Sequence, residues 1–181
     1  QALQAELPWL RSHALALELW ATNIHEARIL ASLVDEPQAL TRGQMEAWAA
    51  DFDSWDVCDQ VCMNLFGPHP LASEMALAWP HRPEEFVRRA GFVLMAVQAV
   101  HRKDLPDAAF ESYFPLMLQY ATDERNFVRK AVNWALRQIG KRNPALRERA
   151  VATARQMLDI NSSSARWIAR DALRELEKPP R

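Results

Sequence analysis

The stretches FVRRAG from Phe86, FVRKAV from Phe127 and WIARDA from Trp167 can be laid over one another at steps of 41 and 40 residues. In each, an aromatic residue precedes a β-branched one, a base falls three residues after the aromatic (Arg89, Lys130, Arg170), and small residues nearby let a neighbouring helix approach. Outward from these stretches the signals are helical. The 181 residues include only four glycines and no Asn-Gly turn, and apolar residues recur at steps of three and four rather than alternating. A period near 40 residues holding two helices describes an α-solenoid, in which each helical pair buries its apolar stripe against the next pair. The pattern predicts an all-α fold.

Helices are expected over about 11–22, 24–34, 41–51, 55–66, 70–78, 84–101, 106–120, 125–141, 144–158 and 163–177. Thr41, Ser54 and Ser163 are candidate N-caps, Pro83, Pro106 and Pro144 suit a first helical turn, and Pro115 should kink or divide the helix that contains it. Residues 1–181 thus read as one HEAT-like repeat domain of stacked antiparallel helix pairs. With 49% apolar and 25% charged residues the chain is no disordered tail. A domain of this size buries roughly 70% of the surface its unfolded chain exposes, enough to fold without disulfides or structural metal. Trp9, Trp20, Trp48, Trp79 and Trp167 are read as core or interface residues.

Cys58 and Cys62 are too few for a disulfide framework and share one helix face, which suits a reducing compartment and buried apolar thiols. No second ligand pair follows at finger-like spacing, so they are not read as zinc ligands. His25 followed by Glu26 lacks the second histidine of a zincin helix and reads as structural. No phosphate-binding glycine loop or nucleophile elbow appears, and no cofactor is expected. Without a run of about 18 apolar residues or a basic leader before a hydrophobic stretch, neither a membrane span nor a signal peptide is expected. A cytoplasmic monomer is the expectation. A chain that opens on Gln1 rather than methionine reads as trimmed.

The net charge of −1 hides a dipolar molecule. Residues 1–123 carry 8 basic and 17 acidic side chains, a net of −9, whereas residues 124–181 carry 14 basic and 6 acidic, a net of +8. Eighteen of the 22 bases are arginine, whose planar fork favours carboxylate and phosphate. Solvation of helix faces accounts for such arginines equally well on composition alone.

Four segments bring a family into view: NIHEARILASLVDEP from Asn23, SWDVCDQVCMNLF from Ser54, FVRRAGFVLM from Phe86 and ERNFVRKAVNWALRQIGKRNP from Glu124. Together, over about residue 12 to the end, they resemble the DNA alkylation repair family, the HEAT-like glycosylases that remove N3- and N7-alkylated purines. The family commonly has further amino-terminal helices, which this chain lacks or has lost. The resemblance implies that Trp55 and Asp59 hold the positions of the family's tryptophan and carboxylate, Arg89 that of its phosphate-contacting arginine, and Trp134 that of its second tryptophan. Arg88 is the adjacent competitor for Arg89. Arg89 is preferred because it precedes the small pair Ala90 and Gly91 and shares a repeat position with Lys130 and Arg170. Arg129, Lys130 and Arg170 join Arg89 as expected DNA contacts, and duplex DNA containing alkylated purines is the expected partner. The family is described as acting from a shallow concave surface without extruding the base.

The chemistry agrees with that assignment. An alkyl group on purine N3 or N7 leaves the base cationic and already a good leaving group, so charge stabilisation rather than a strong general acid is required. As the glycosidic bond breaks, positive character moves onto the deoxyribose, where a carboxylate can stabilise it and orient an attacking water. At about 4 Å and an effective dielectric near 20 such a pair contributes on the order of 4 kcal/mol, roughly a thousandfold in rate. On a helix Trp55 and Asp59 project from one face a turn apart. Trp55 is therefore expected beside the sugar or cationic base, with Trp134 as the opposing wall. On packing grounds alone both tryptophans would be core residues, and Asp56 and Asp59 would merely complement a helix dipole. A catalytically silent DNA-binding module and a protein-interaction scaffold remain alternatives.

Overall fold

Ser12 accepts a hydrogen bond from the Leu15 amide and opens the first of the described helices, α1 (His13–Ala21). The computed structural model describes residues 12–178. The helices that follow are α2 (His25–Val34), α3 (Arg42–Ala50), α4 (Trp55–Val61), α5 (Ala72–Ala78) and α6 (Glu85–His101). The carboxyl-terminal part comprises α7 (Asp107–Glu111), α8 (Phe114–Tyr120), α9 (Asn126–Gly140), α10 (Pro144–Asp159) and α11 (Ser163–Leu176). A π-helical turn, Cys62–Phe66, extends α4, and its last bond runs from the Gly67 amide to the Cys62 carbonyl at 2.8 Å. A 3₁₀ turn, Trp79–His81, follows α5. No strand is present among the described residues.

Helices α2, α4, α6, α9 and α11 lie side by side as one row, each packed on the next, while α1, α5, α8 and α10 cover members of that row from the other layer. This is the stacked helix-pair architecture that the 40-residue period predicts. Small residues permit the close approaches. A Cβ added to Gly91 would lie 2.5 Å from Pro80 Cδ and 2.9 Å from the Pro80 nitrogen, so the start of the 3₁₀ turn can seat on α6 only with glycine there.

The core of the amino-terminal half is a chain of aromatic rings. Trp20 stacks on Trp48 at 4.0 Å with planes 2° apart, and Phe52, Phe66 and Trp79 continue the series. Each buried indole N–H among Trp20 and Trp79 meets a carboxylate, Asp51 at 2.9 Å and Glu46 at 3.0 Å, which removes the cost of burying a donor. Trp20, Trp48 and Trp79 are thus core residues as expected, and Cys58 and Cys62 are buried. Trp167 departs from the expectation, being 36% exposed, and Trp9 lies outside the described residues.

Thr41 caps α3 by accepting from the Gln44 amide, and Pro144 is the first residue of α10. Ser54 occupies the N-cap of α4 without a side-chain bond to the helix amides. The cap of α11 is Ser162, which accepts from Ala165, so Ser163 is already helical. Pro83 precedes the cap residue Glu84, and Pro106 is itself the cap of α7; neither sits in the first turn. Pro115 divides its helix: the chain turns at Ser112 and Tyr113, and proline then falls in the first turn of α8, where its missing N–H has no cost.

Candidate nucleic-acid interface

The repeat register sets out two rows of side chains across α4, α6, α9 and α11. Aromatic residues form the first: Trp55 opens α4, Phe86 and Phe127 are the second residues of α6 and α9, and Trp167 lies in the second turn of α11. Phe86 and Phe127 approach to 5.5 Å between ring centres, and Trp55 is 51% exposed. About one turn further along each helix stand Asp59, Arg89, Lys130 and Arg170.

Arg89 joins three helices. Its Nε and Nη2 donate to the two oxygens of Asp59 at 2.8 Å each, and its Nη1 donates to the Phe127 carbonyl at 2.6 Å. Small residues hold α4 and α6 at the separation this needs: the Cys58 thiol meets the Phe86 carbonyl at 3.5 Å and the Cys62 thiol lies 4.0 Å from that of Ala90. Burial pushes the Asp59 carboxyl above its ordinary value, and the Arg89 guanidinium opposes the shift without cancelling it. For Arg89, burial works against the charge, but Asp59 outweighs it and holds the guanidinium protonated. The Cys62 thiol is pushed well up, first by burial and then by Cys58, and is inert as a nucleophile at neutral pH. A guanidinium has five N–H donors, three of which are engaged, so two remain for a ligand.

Trp55, Arg89, Phe127 and Lys130 line a depression of about 350 Å³. Two expectations are corrected here. Asp59 is not a bare carboxylate on the wall: both oxygens accept from Arg89 and the residue is 8% exposed, because a buried carboxylate this close to an arginine fork is more stable paired than open. The ring opposite Trp55 is Phe127, not Trp134, which is half-buried and packed against the core further along α9. Phe127 is the functional candidate that sequence reading missed, although the repeat FVRKAV marks it as the counterpart of Phe86.

The structure separates Arg88 from Arg89. Arg88 donates to the Pro80 carbonyl and to Asp123 at 2.8 and 2.7 Å, and lies over the Tyr120 ring. It is a clamp between helices, and Arg89 alone of the two reaches Asp59. Beside the Asp59 site, His25 bonds Asp56 at 2.8 Å and ties α2 to α4, the structural role expected of it. Burial acts to raise the Asp56 carboxyl, but the hydrogen bonds it accepts, those with His25 and the Val57 amide among them, prevail and leave it lowered.

A second, wider depression of about 530 Å³ adjoins Lys130 along α9 and α11, with Arg129, Arg166, Trp167 and Arg170 among its walls. Arg129 stands 5.0 Å over the Trp167 ring. Among the described residues, Lys130 and Arg170 are exposed and have neither an ion pair nor a hydrogen bond. No group of three or more histidine, cysteine or acidic side chains among the described residues is placed to hold a metal ion. The whole face offers aromatic surface, donors and positive charge, the combination that suits a sugar-phosphate backbone.

Helix pairs stacked in a repeat near 40 residues make this an all-α protein of HEAT-like fold. Residues 2–176 match the family of DNA alkylation repair enzymes, and the chain belongs to that family. Among solved structures it is similar to one described as a new family of proteins related to the HEAT-like repeat DNA glycosylases with affinity for branched DNA structures. That likeness has a TM-score of 0.73 at 20% identity and covers 97% of this chain and 80% of the other, which establishes a shared fold. No curated protein matches the chain.

Proposed function

We propose that this face binds DNA and that the cluster of Trp55, Asp59 and Arg89 hydrolyses the N-glycosidic bond of a cationic N3- or N7-alkylated purine in duplex DNA. The observation that carries the reading is the depression walled by the exposed indole of Trp55, Phe127, Lys130 and Arg89, whose guanidinium holds Asp59 behind it in a bidentate pair. Arg89, with two donors unspent, takes a backbone phosphate while still holding Asp59, and so registers the sugar against the carboxylate. Each Asp59 oxygen keeps a second lone pair. As the cationic base departs, the growing positive charge on the sugar is met by Asp59 and by the face of Trp55, and water attacks the anomeric carbon. Lys130 and Arg170 hold flanking phosphates, with Arg129 beside them.

A second reading, a DNA-holding module without hydrolysis, is favoured by the same ion pair, since both Asp59 oxygens are occupied at rest. The branched-DNA affinity ascribed to the similar structure suits it as well. Release of 7-methylguanine and 3-methyladenine from methylated duplex DNA separates the two. Release by the wild type that falls about a hundredfold or more in Asp59→Asn, with duplex binding retained, supports the glycosylase. Tight binding with no released base in either protein establishes the holding module instead.

A further inference from the structure

Trp167 is the one repeat aromatic on the carboxyl-terminal helix, and its surroundings differ from those of its counterparts. Phe86 and Phe127 are half-buried against each other, whereas Trp167 is 36% exposed and faces the 530 Å³ depression. The Arg129 guanidinium stands 5.0 Å over the indole. Arg170, one turn along the same helix, is exposed and has no partner among the described residues, and Arg166 makes a long contact of 3.4 Å to Asn161. Arg174, by contrast, is spent on Asp171. The depression therefore joins an exposed indole to three cations, Arg129, Arg166 and Arg170, that form no ion pair among the described residues; Asp171, which also lines it, is taken up by Asn133 and Arg174.

Phosphate contact alone would need only the arginines. An exposed indole among them adds a flat apolar surface, and a nucleic-acid base can use that surface only if its own face is free. In an intact duplex each base face is covered by its neighbours; in a single strand it is not. We infer that the Trp167 depression binds an unpaired nucleotide of single-stranded DNA, the base stacked on the indole and its phosphates held by Arg166 and Arg170. The inference rests on the DNA-binding reading of the neighbouring Arg89 depression and adds to it a substrate class: duplex DNA that carries a single-stranded extension. Lys130, which borders the first depression, and Arg129, which borders the second, are adjacent residues of α9, so the two depressions are neighbours on that helix.

The test compares labelled oligonucleotides on the full chain: a blunt duplex, the same duplex with a five-nucleotide overhang, and that overhang built from abasic sites. Wild type is expected to bind the overhang duplex about tenfold more tightly than the blunt one, with part of the gain lost on the abasic version. Trp167→Ala should lose on the overhang duplex the same severalfold factor that the abasic sites cost the wild type, and nothing on the blunt or abasic DNA. Trp167→Phe should recover most of the loss, which a mere folding defect would not allow. Arg170→Ala should weaken normal and abasic overhangs alike. Equal losses of Trp167→Ala on all three DNAs, or none on any, would overturn the stacking site while leaving the duplex reading intact. Failure of the wild type to bind any of the three would remove both.

Discussion

Asp59 and Arg89 are thirty residues apart, yet each is nearly useless to the fold without the other. Both are buried, and the pair is bidentate. Removing one partner leaves a charge in a low-dielectric site, at a cost of about 3 to 5 kcal/mol, whereas replacing both by apolar residues of similar volume is close to neutral. Asp59→Ala is therefore expected to lose about 3 kcal/mol of stability, and Asp59→Leu with Arg89→Met to regain most of it. Urea unfolding at constant m-value measures both, and a single-variant loss below 1 kcal/mol would show that the pair is not shielded. Spacing along one helix suffices to put Trp55 and Asp59 on a common face. It says nothing of the partner that closes over the carboxylate, because the ion pair is made between helices. For the same reason Trp134 and Phe127, seven residues apart on α9, look interchangeable as walls until the depth of each against the core is known.

Between elements the stack is fastened by arginines that reach back to the preceding pair. Asp123, just before α9, receives Arg88 from α6 at 2.7 Å and Arg125 through two nitrogens, at 2.9 and 2.6 Å, while its carbonyl accepts from Ser164 of α11 at 2.8 Å. Arg142 serves similarly at the end of α6, donating to the carbonyls of Ala99, Arg102 and Leu105 at and just beyond the helix's carboxyl end. Burial raises the Asp123 carboxyl, but Arg125 and Arg88 outweigh it and bring it from 3.8 down to about 2. A carboxylate depressed in the folded state adds stability that is complete above its unfolded value and lost as pH falls through the folded one. Here the window runs from pH 3.8 to about 2. Asp123→Asn should cost about 2 kcal/mol at pH 7, and its deficit against wild type should shrink across that window. Denaturant titrations at pH 7, 4 and 2.5 read this directly, and a deficit independent of pH would show that charge has no part in the clamp. Helix positions were accessible from periodicity and proline because those are local signals. Arg88, Arg125 and Arg142 look from composition like solvated surface bases, since what distinguishes them is the carbonyl or carboxylate some 35 to 43 positions away.

Across the molecule the split between an acidic 1–123 segment and a basic 124–181 segment concerns binding, but the raw count overstates it. Of the 14 bases in the second segment, Arg125, Arg137, Lys141, Arg149, Arg155 and Arg174 are held in ion pairs, and Arg142 is committed to carbonyls. Only cations without such partners can neutralise phosphate and release its counterions, so they alone set how steeply affinity falls with salt. Lys130 and Arg170 are in that position, one bordering each depression of the interface. Plots of log affinity against log salt for duplex carrying an overhang should therefore lose about one unit of slope in Lys130→Ala and about one in Arg170→Ala, with the two losses adding in the double variant. Arg142→Ala removes the same formal charge from the same segment but should leave the slope unchanged while lowering the unfolding midpoint, because that guanidinium holds α6 rather than DNA. Net charge and chain position cannot tell these three bases apart. Equal slopes for all three variants would mean that the field of the whole basic half, rather than a defined face, attracts the nucleic acid.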